Sequence, residues 1–238
     1  VGAILCVFAC VVPFQLLLTA CGLRRAIPPH FLGVVGWLCG LRIRCIGRPA
    51  HGKLLLLANH VSWLDILALA GVSRSAFVAH GGLAGHRLLK WLCDQNDTLF
   101  IARERRGTIA GQVAQLRAAL ARRRMTVFPE GTTGDGRGLL PFKSALLSSV
   151  ERAGDDLDDL TVQPVALVYE DAEGIAWLGD EPGADNVRRI LCRTRPVRLT
   201  IRFLDPLAHE ALHSRKAMAE AARAAIAAAL PPAPPRPL

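Results

Sequence analysis

Apolar positions run unbroken from Val1 to Leu23, with no charged side chain and only Gln15 and Thr19 clearly polar. As one helix this stretch would reach about 34 Å, a bilayer-core length, although Pro13 is expected to kink or divide it. Arg24-Arg25 and Pro28-Pro29 follow, then a second apolar run, Phe31 to Leu41, too short to span. Arg24 and Arg25 before that run and Arg42 and Arg44 after it place both ends on the cytoplasmic side. Residues 1–41 are therefore expected to form a helical pair lying on, or dipping into, one leaflet. Two other readings stand beside it. Leu18-Thr19-Ala20-Cys21 is similar to a lipoprotein cleavage site, and the first run also suits an ordinary buried helix.

Beyond residue 41 the pattern changes. Short apolar runs predict strands at Arg42 to Ile46, Leu54 to Ala58, Ala76 to Ala79, Leu99 to Ala102, Thr126 to Phe128, Val162 to Tyr169 and Val197 to Phe203. Helical patterns lie among them at Leu64 to Ala70, Arg87 to Asp94, Thr108 to Arg123 and Ser144 to Arg152. An Ala-rich helix with a basic face, His209 to Leu230, comes last and is stopped by Pro231. Strand–helix alternation predicts an α/β fold, a mostly parallel sheet flanked by helices. Residues 42–230 then form one domain, and 231–238 a disordered proline-rich tail. A chain of 238 residues is long enough for one well-buried core.

Charge narrows the partners. Twenty-nine Lys and Arg against 20 Asp and Glu give +9, which suits anionic lipid, phosphorylated substrate or nucleic acid. Aromatics at 5% and a single tyrosine leave few stacking platforms, which argues against nucleic acid. The seven cysteines form no C-x-x-C pair and no His-spaced cluster, so neither a zinc site nor a disulfide framework is indicated.

Candidate chemistry sits at strand ends. In Asn59-His60-Val61-Ser62-Trp63-Leu64-Asp65, positions 60 and 65 point about 140° apart on a continuous helix. They meet only if His60 lies in the strand-to-helix turn and Asp65 in the first helical turns. Asp65 then holds one imidazole nitrogen and leaves the other as general base. The alternative is a capped helix with a surface histidine. A second cluster, Phe128-Pro129-Glu130-Gly131-Thr132-Thr133-Gly134-Asp135-Gly136, follows a strand and suits anion binding on backbone N–H groups. It lacks the nucleotide P-loop pattern, and a plain polar loop fits it equally.

Together, Asn59-His60-x4-Asp65 and Phe128-Pro129-Glu130-Gly131-Thr132 resemble the glycerolipid acyltransferases typified by 1-acylglycerol-3-phosphate acyltransferase. Phe100-Ile101-Ala102-Arg103 stands where that family carries an arginine block, and Val162-Gln163-Pro164-Val165 matches its fourth block. The resemblance covers Leu54 to Val168. It implies transfer of a fatty acyl group from acyl-CoA or acyl-ACP to the free hydroxyl of 1-acylglycerol-3-phosphate (lysophosphatidic acid), giving phosphatidic acid. His60 is then the base and Asp65 its orienting partner. Arg103, Glu130, Gly131 and Thr132, with Lys143, hold the acceptor headgroup, and Pro164 lies near the acyl-donor pocket. The donor is a co-substrate, and neither metal nor other cofactor is implied. The implied partners are the lysolipid, the acyl donor and an anionic membrane surface. The implied location is the inner membrane, active site toward the cytoplasm.

Two departures qualify the acceptor. Thr133 stands where many relatives have arginine, and His80 where many have lysine. The loop Glu130-Gly131-Thr132-Thr133-Gly134-Asp135-Gly136 is similar to relatives that acylate lyso-ornithine lipid, the alternative acceptor. Outside this class stand a serine hydrolase using Ser62, although no G-x-S-x-G occurs, and a non-catalytic basic membrane-binding protein.

Overall fold

A computed structural model describes residues 2–23, 26–80, 87–101, 109–151 and 159–232. Its centre is a seven-stranded sheet in the order β1-β7-β6-β2-β5-β3-β4. The strands are β1 (Leu41–Ile46), β2 (Leu54–Ala58), β3 (Ala76–His80), β4 (Leu99–Ile101), β5 (Met125–Val127), β6 (Thr161–Tyr169) and β7 (Val197–Phe203). All neighbours pair in parallel except β6 and β7, which are antiparallel. The predicted α/β architecture is therefore present.

Helices cover both faces, so the central strand β2, Leu-Leu-Leu-Leu-Ala, is buried at every position. One face carries α2 (Pro28–Leu38), α3 (Leu64–Ser73) and α7 (Gly183–Leu191), whose Ile190 packs with Leu54, Leu56 and the β6 residues Val165 and Leu167. The other face carries α5 (Ile109–Leu120) and α8 (Arg215–Ala229), packed on Leu55, Leu57, Met125 and Val162. Alternation along the strands divides the two cores. Two further helices are α4 (Arg87–Gln95) and the short α6 (Ala172–Ile175).

The structure redraws several predicted boundaries. Ser144 to Arg152 is a 3-10 segment over Ala145–Ser149, with Arg152 outside the described residues. The terminal helix breaks at Ser214, whose extended backbone separates a 3-10 turn at His209–His213 from α8. α6, four residues long, is too short to show a period, and α7, whose Val187, Ile190 and Leu191 fall at helical spacing, is an addition to the predicted elements. Residues 233–238 of the tail lie outside the described residues.

At the N-terminus, α1 (Gly2–Ala20) runs through Pro13 as one helix rather than dividing there. Among the described residues no helix is long and apolar enough to cross a membrane. α2 is packed on the domain: a Cβ on Gly71 would stand 2.9 Å from the Cα of Gly33, so α2 and α3 cross with their backbones nearly touching. α1 is held by Gln15, buried in this apolar helix, whose amide donates to Gln95 of α4 at 3.0 Å. The opposite surfaces leave Phe14, Leu17 and Trp37 more than half exposed.

Candidate active site

β2 ends at Ala58, and four residues of irregular backbone at 59–62 precede the turn into α3. Asn59 fixes the exit: its Oδ1 accepts the Leu167 N–H at 2.7 Å and its Nδ2 donates to the Leu167 carbonyl at 3.0 Å. The strand end is thereby pinned to β6. His60 follows in the turn and Asp65 lies in the first turn of α3, the one arrangement in which residues at this spacing meet. His60 Nδ1 is 2.8 Å from Asp65 Oδ2.

Asp65 is 0% exposed, and the described contacts of its carboxylate are all with donors. Oδ2 also accepts the Val61 and Ser62 N–H groups at 2.7 and 2.9 Å, and Oδ1 accepts the Tyr169 hydroxyl at 2.6 Å. With donors on every other side, Asp65 is placed to accept from His60 Nδ1, which leaves Nε2 as the ring nitrogen not engaged by the carboxylate. The imidazole stacks on Phe128 with ring centroids 4.0 Å apart and planes 15° apart. It lines a cavity of about 300 Å³ with Ile66, Phe77, Phe128 and Trp177, and with Gly131, Thr132 and Thr133.

The loop after β5 braces the histidine backbone. Glu130, 2% exposed, accepts the His60 N–H on Oε1 and the Leu140 N–H on Oε2, both at 2.9 Å. Gly134 N–H donates to the His60 carbonyl at 2.7 Å. Gly131 turns the chain at φ 75°, in the left-handed region that glycine enters without strain. The Thr133 hydroxyl donates to the Trp177 carbonyl, and Trp177 N–H returns to the Val61 carbonyl at 3.0 Å. Burial raises the Glu130 carboxyl above its ordinary range, with the two N–H bonds opposing. The Tyr169 phenol is held well above its ordinary value by burial first and the adjacent Asp65 charge second.

The predicted site residues therefore divide. His60 and Asp65 meet, and Gly131 and Thr132 line the cavity beside them. Glu130 is buried and is not in that lining: its two carboxylate oxygens accept the His60 and Leu140 N–H groups, which braces the histidine backbone. Lys143 is exposed, with its backbone N–H on Pro129 O, and its side chain is not in the lining. Pro164 is buried in β6 beside Leu57, away from the lining of this cavity. Arg103 lies outside the described residues. Tyr169 went unread in the sequence. The signal available was the sole tyrosine standing at the C-terminal end of a strand. Among the described residues no cluster of three or more His, Cys, Asp or Glu is placed to hold a metal ion.

The Acyltransferase family model matches residues 42–168, the span holding every one of these residues except Tyr169 and Trp177. A lyso-ornithine lipid O-acyltransferase of Brucella abortus is 33% identical over 237 residues, covering 92% of this chain and 88% of that protein. A 1-acyl-sn-glycerol-3-phosphate acyltransferase of Neisseria gonorrhoeae is 38% identical over 133 residues, 54% of this chain and 50% of its own. Among solved structures, the 1-acyl-sn-glycerophosphate acyltransferase of Thermotoga maritima superposes with a TM-score of 0.60. It is 17% identical and the match covers 84% of this chain and 78% of that one, a likeness of fold.

Proposed function

The chain belongs to the glycerolipid acyltransferases, O-acyltransferases that act on lysolipids, and on that footing we propose that it acylates the free hydroxyl of lyso-ornithine lipid. The observation that carries the chemistry is the His60–Asp65 pair, buried on its carboxylate side and facing a cavity on its imidazole side. His60 Nε2 takes the acceptor hydroxyl proton as the oxygen attacks the acyl thioester carbonyl. The C–S bond then breaks, and the imidazolium returns its proton to the leaving thiolate. Asp65 fixes the tautomer and stabilises the imidazolium between these steps. The acyl ester and a free thiol are the products. The thiol belongs to coenzyme A or to acyl carrier protein.

Two observations support the ornithine acceptor. The relative of that name aligns over nearly the whole chain, whereas the glycerophosphate relative aligns over about half. Among the described residues the cavity lining contains no Lys or Arg, and Thr133 spends its hydroxyl on the Trp177 carbonyl. A dianionic phosphate calls for such cations. The glycerophosphate reading keeps one point in its favour, Arg103 in the family's arginine block, which would form that headgroup site with Gly131 and Thr132. We further assign residues 1–41 to membrane attachment on one leaflet, with the active site toward the cytoplasm. In support, the exposed apolar side chains of α1 and α2 lead into Arg42, whose guanidinium lies 5.0 Å from the Trp37 ring centre.

A two-acceptor competition tests the acceptor. Purified protein in detergent receives labelled acyl donor, on either carrier, with equal lyso-ornithine lipid and lysophosphatidic acid. Predominant labelling of ornithine lipid is expected. Predominant phosphatidic acid would replace the first acceptor with the second.

A further inference from the structure

We propose that Tyr169 is a positioning residue for acyl transfer, acting through Asp65 to set the basicity of His60. The inference rests on the base role given to His60 above. The placement follows from strand geometry. Asn59 locks the exit of β2 to Leu167 through two hydrogen bonds. Tyr169, two residues further along β6, presents its side chain on the same face and reaches across to α3. Its hydroxyl donates to Asp65 Oδ1 at 2.6 Å, the oxygen that His60 does not use.

Two consequences follow. The carboxylate cannot rotate without breaking a buried bond, so Oδ2 stays aimed at Nδ1. The phenol proton also withdraws part of the Asp65 charge from the imidazole, so the imidazolium gains less from its partner. Tyr169 is buried and is not in the cavity lining, so it acts without touching substrate. Among the described residues the other titratable groups around His60 are Glu130, which holds its backbone N–H, and Cys93 of α4, across the cavity. Neither contacts Asp65 among the described bonds.

Because Tyr169 is the one tyrosine in the sequence, biosynthetic replacement of tyrosine by 3-fluorotyrosine alters this position alone. The fluorinated phenol is the stronger acid and donates more strongly to Asp65. Tyr169→Phe removes the donor. The experiment compares kcat/KM against pH for acyl transfer in wild type, Tyr169→Phe and the fluorotyrosine protein, with melting curves for each. Loss of the donor moves the acid limb upward by about half to one pH unit, a roughly three- to tenfold change, because the full carboxylate charge then acts on the imidazolium. Fluorotyrosine moves the limb downward. A merely structural tyrosine changes the melting curves and leaves the limb in place. An unmoved limb in the fluorotyrosine protein, or shifts of the same sign in both, overturns the proposal. The fluorotyrosine arm decides if the phenylalanine variant does not fold. An acid limb that persists at full activity in His60→Ala marks a different failure, that of His60 as the base.

Discussion

Replacing Glu130 by Gln separates a brace from a headgroup contact. The native carboxylate accepts two backbone N–H groups, from His60 and Leu140, at 2.9 Å each and almost without solvent. Glutamine offers one carbonyl oxygen, so one N–H meets an amide NH2 in a buried setting. A hydrogen bond to a charged group is worth about 1.5–3 kcal/mol, and relief of the buried charge returns part of it, leaving a loss of about 2 kcal/mol. Urea unfolding measures that loss. Burial holds the Glu130 carboxyl above its ordinary value. Its share of stability is therefore full below the unfolded carboxyl pKa, about 4.3, and fades as pH rises through the folded value. The variant removes this slope. In acyl-transfer assays kcat falls about 10- to 100-fold because the histidine backbone shifts, while acceptor KM stays within about twofold. A raised KM with intact kcat and unchanged stability would refute the brace and restore the headgroup contact expected from the motif.

Asp65→Asn lowers kcat by about 10²- to 10⁴-fold with little change in acceptor KM, because the amide cannot stabilise the imidazolium; a change confined to KM counts against the orienting role. The phenol of Tyr169 is held above its ordinary value, so its share of stability is full below about pH 10 and is lost as pH rises through the folded value. Tyrosinate absorbance should accordingly appear together with loss of far-ultraviolet circular dichroism, and titration in a folded protein contradicts the burial. Where β1 pairs with β7, Arg42 stands directly across from Arg198, and Arg44 is exposed beside them. Arg44→Glu with Arg198→Glu should reduce sedimentation with anionic vesicles severalfold at low salt and little at high salt, whereas equal loss at both points away from a charge contact. Deletion of residues 1–41 should leave only this salt-sensitive binding, and salt-independent pelleting of the truncated chain would place the anchor elsewhere.

How much of this was legible in the sequence depended on whether local spacing forced the answer. The strands could be read because they are short and either apolar throughout or alternating, and the four leucines of β2 left little alternative. The His60–Asp65 contact could be read because residues five apart meet only across a strand-to-helix turn. The brace that Glu130 gives to the His60 and Leu140 backbone was not legible. A carboxylate in a glycine-rich loop suits a ligand, and only the fold reveals that two backbone N–H groups have taken it. Tyr169 lies 104 residues from Asp65, so no local pattern joined them, although a lone tyrosine ending a buried strand deserved a partner. α7 offered only a weak signal, Val187, Ile190 and Leu191 at helical spacing among Asp185, Arg188 and Arg189.

The most direct test of the central claim is acyl transfer to lyso-ornithine lipid by wild type and His60→Ala, following ester product and free fatty acid together. The account predicts ester formation by wild type with little free fatty acid, and a loss of about 10²- to 10⁴-fold in the variant, which keeps its fold and vesicle binding. Near-normal transfer by His60→Ala, or fatty acid release in place of ester, would contradict it.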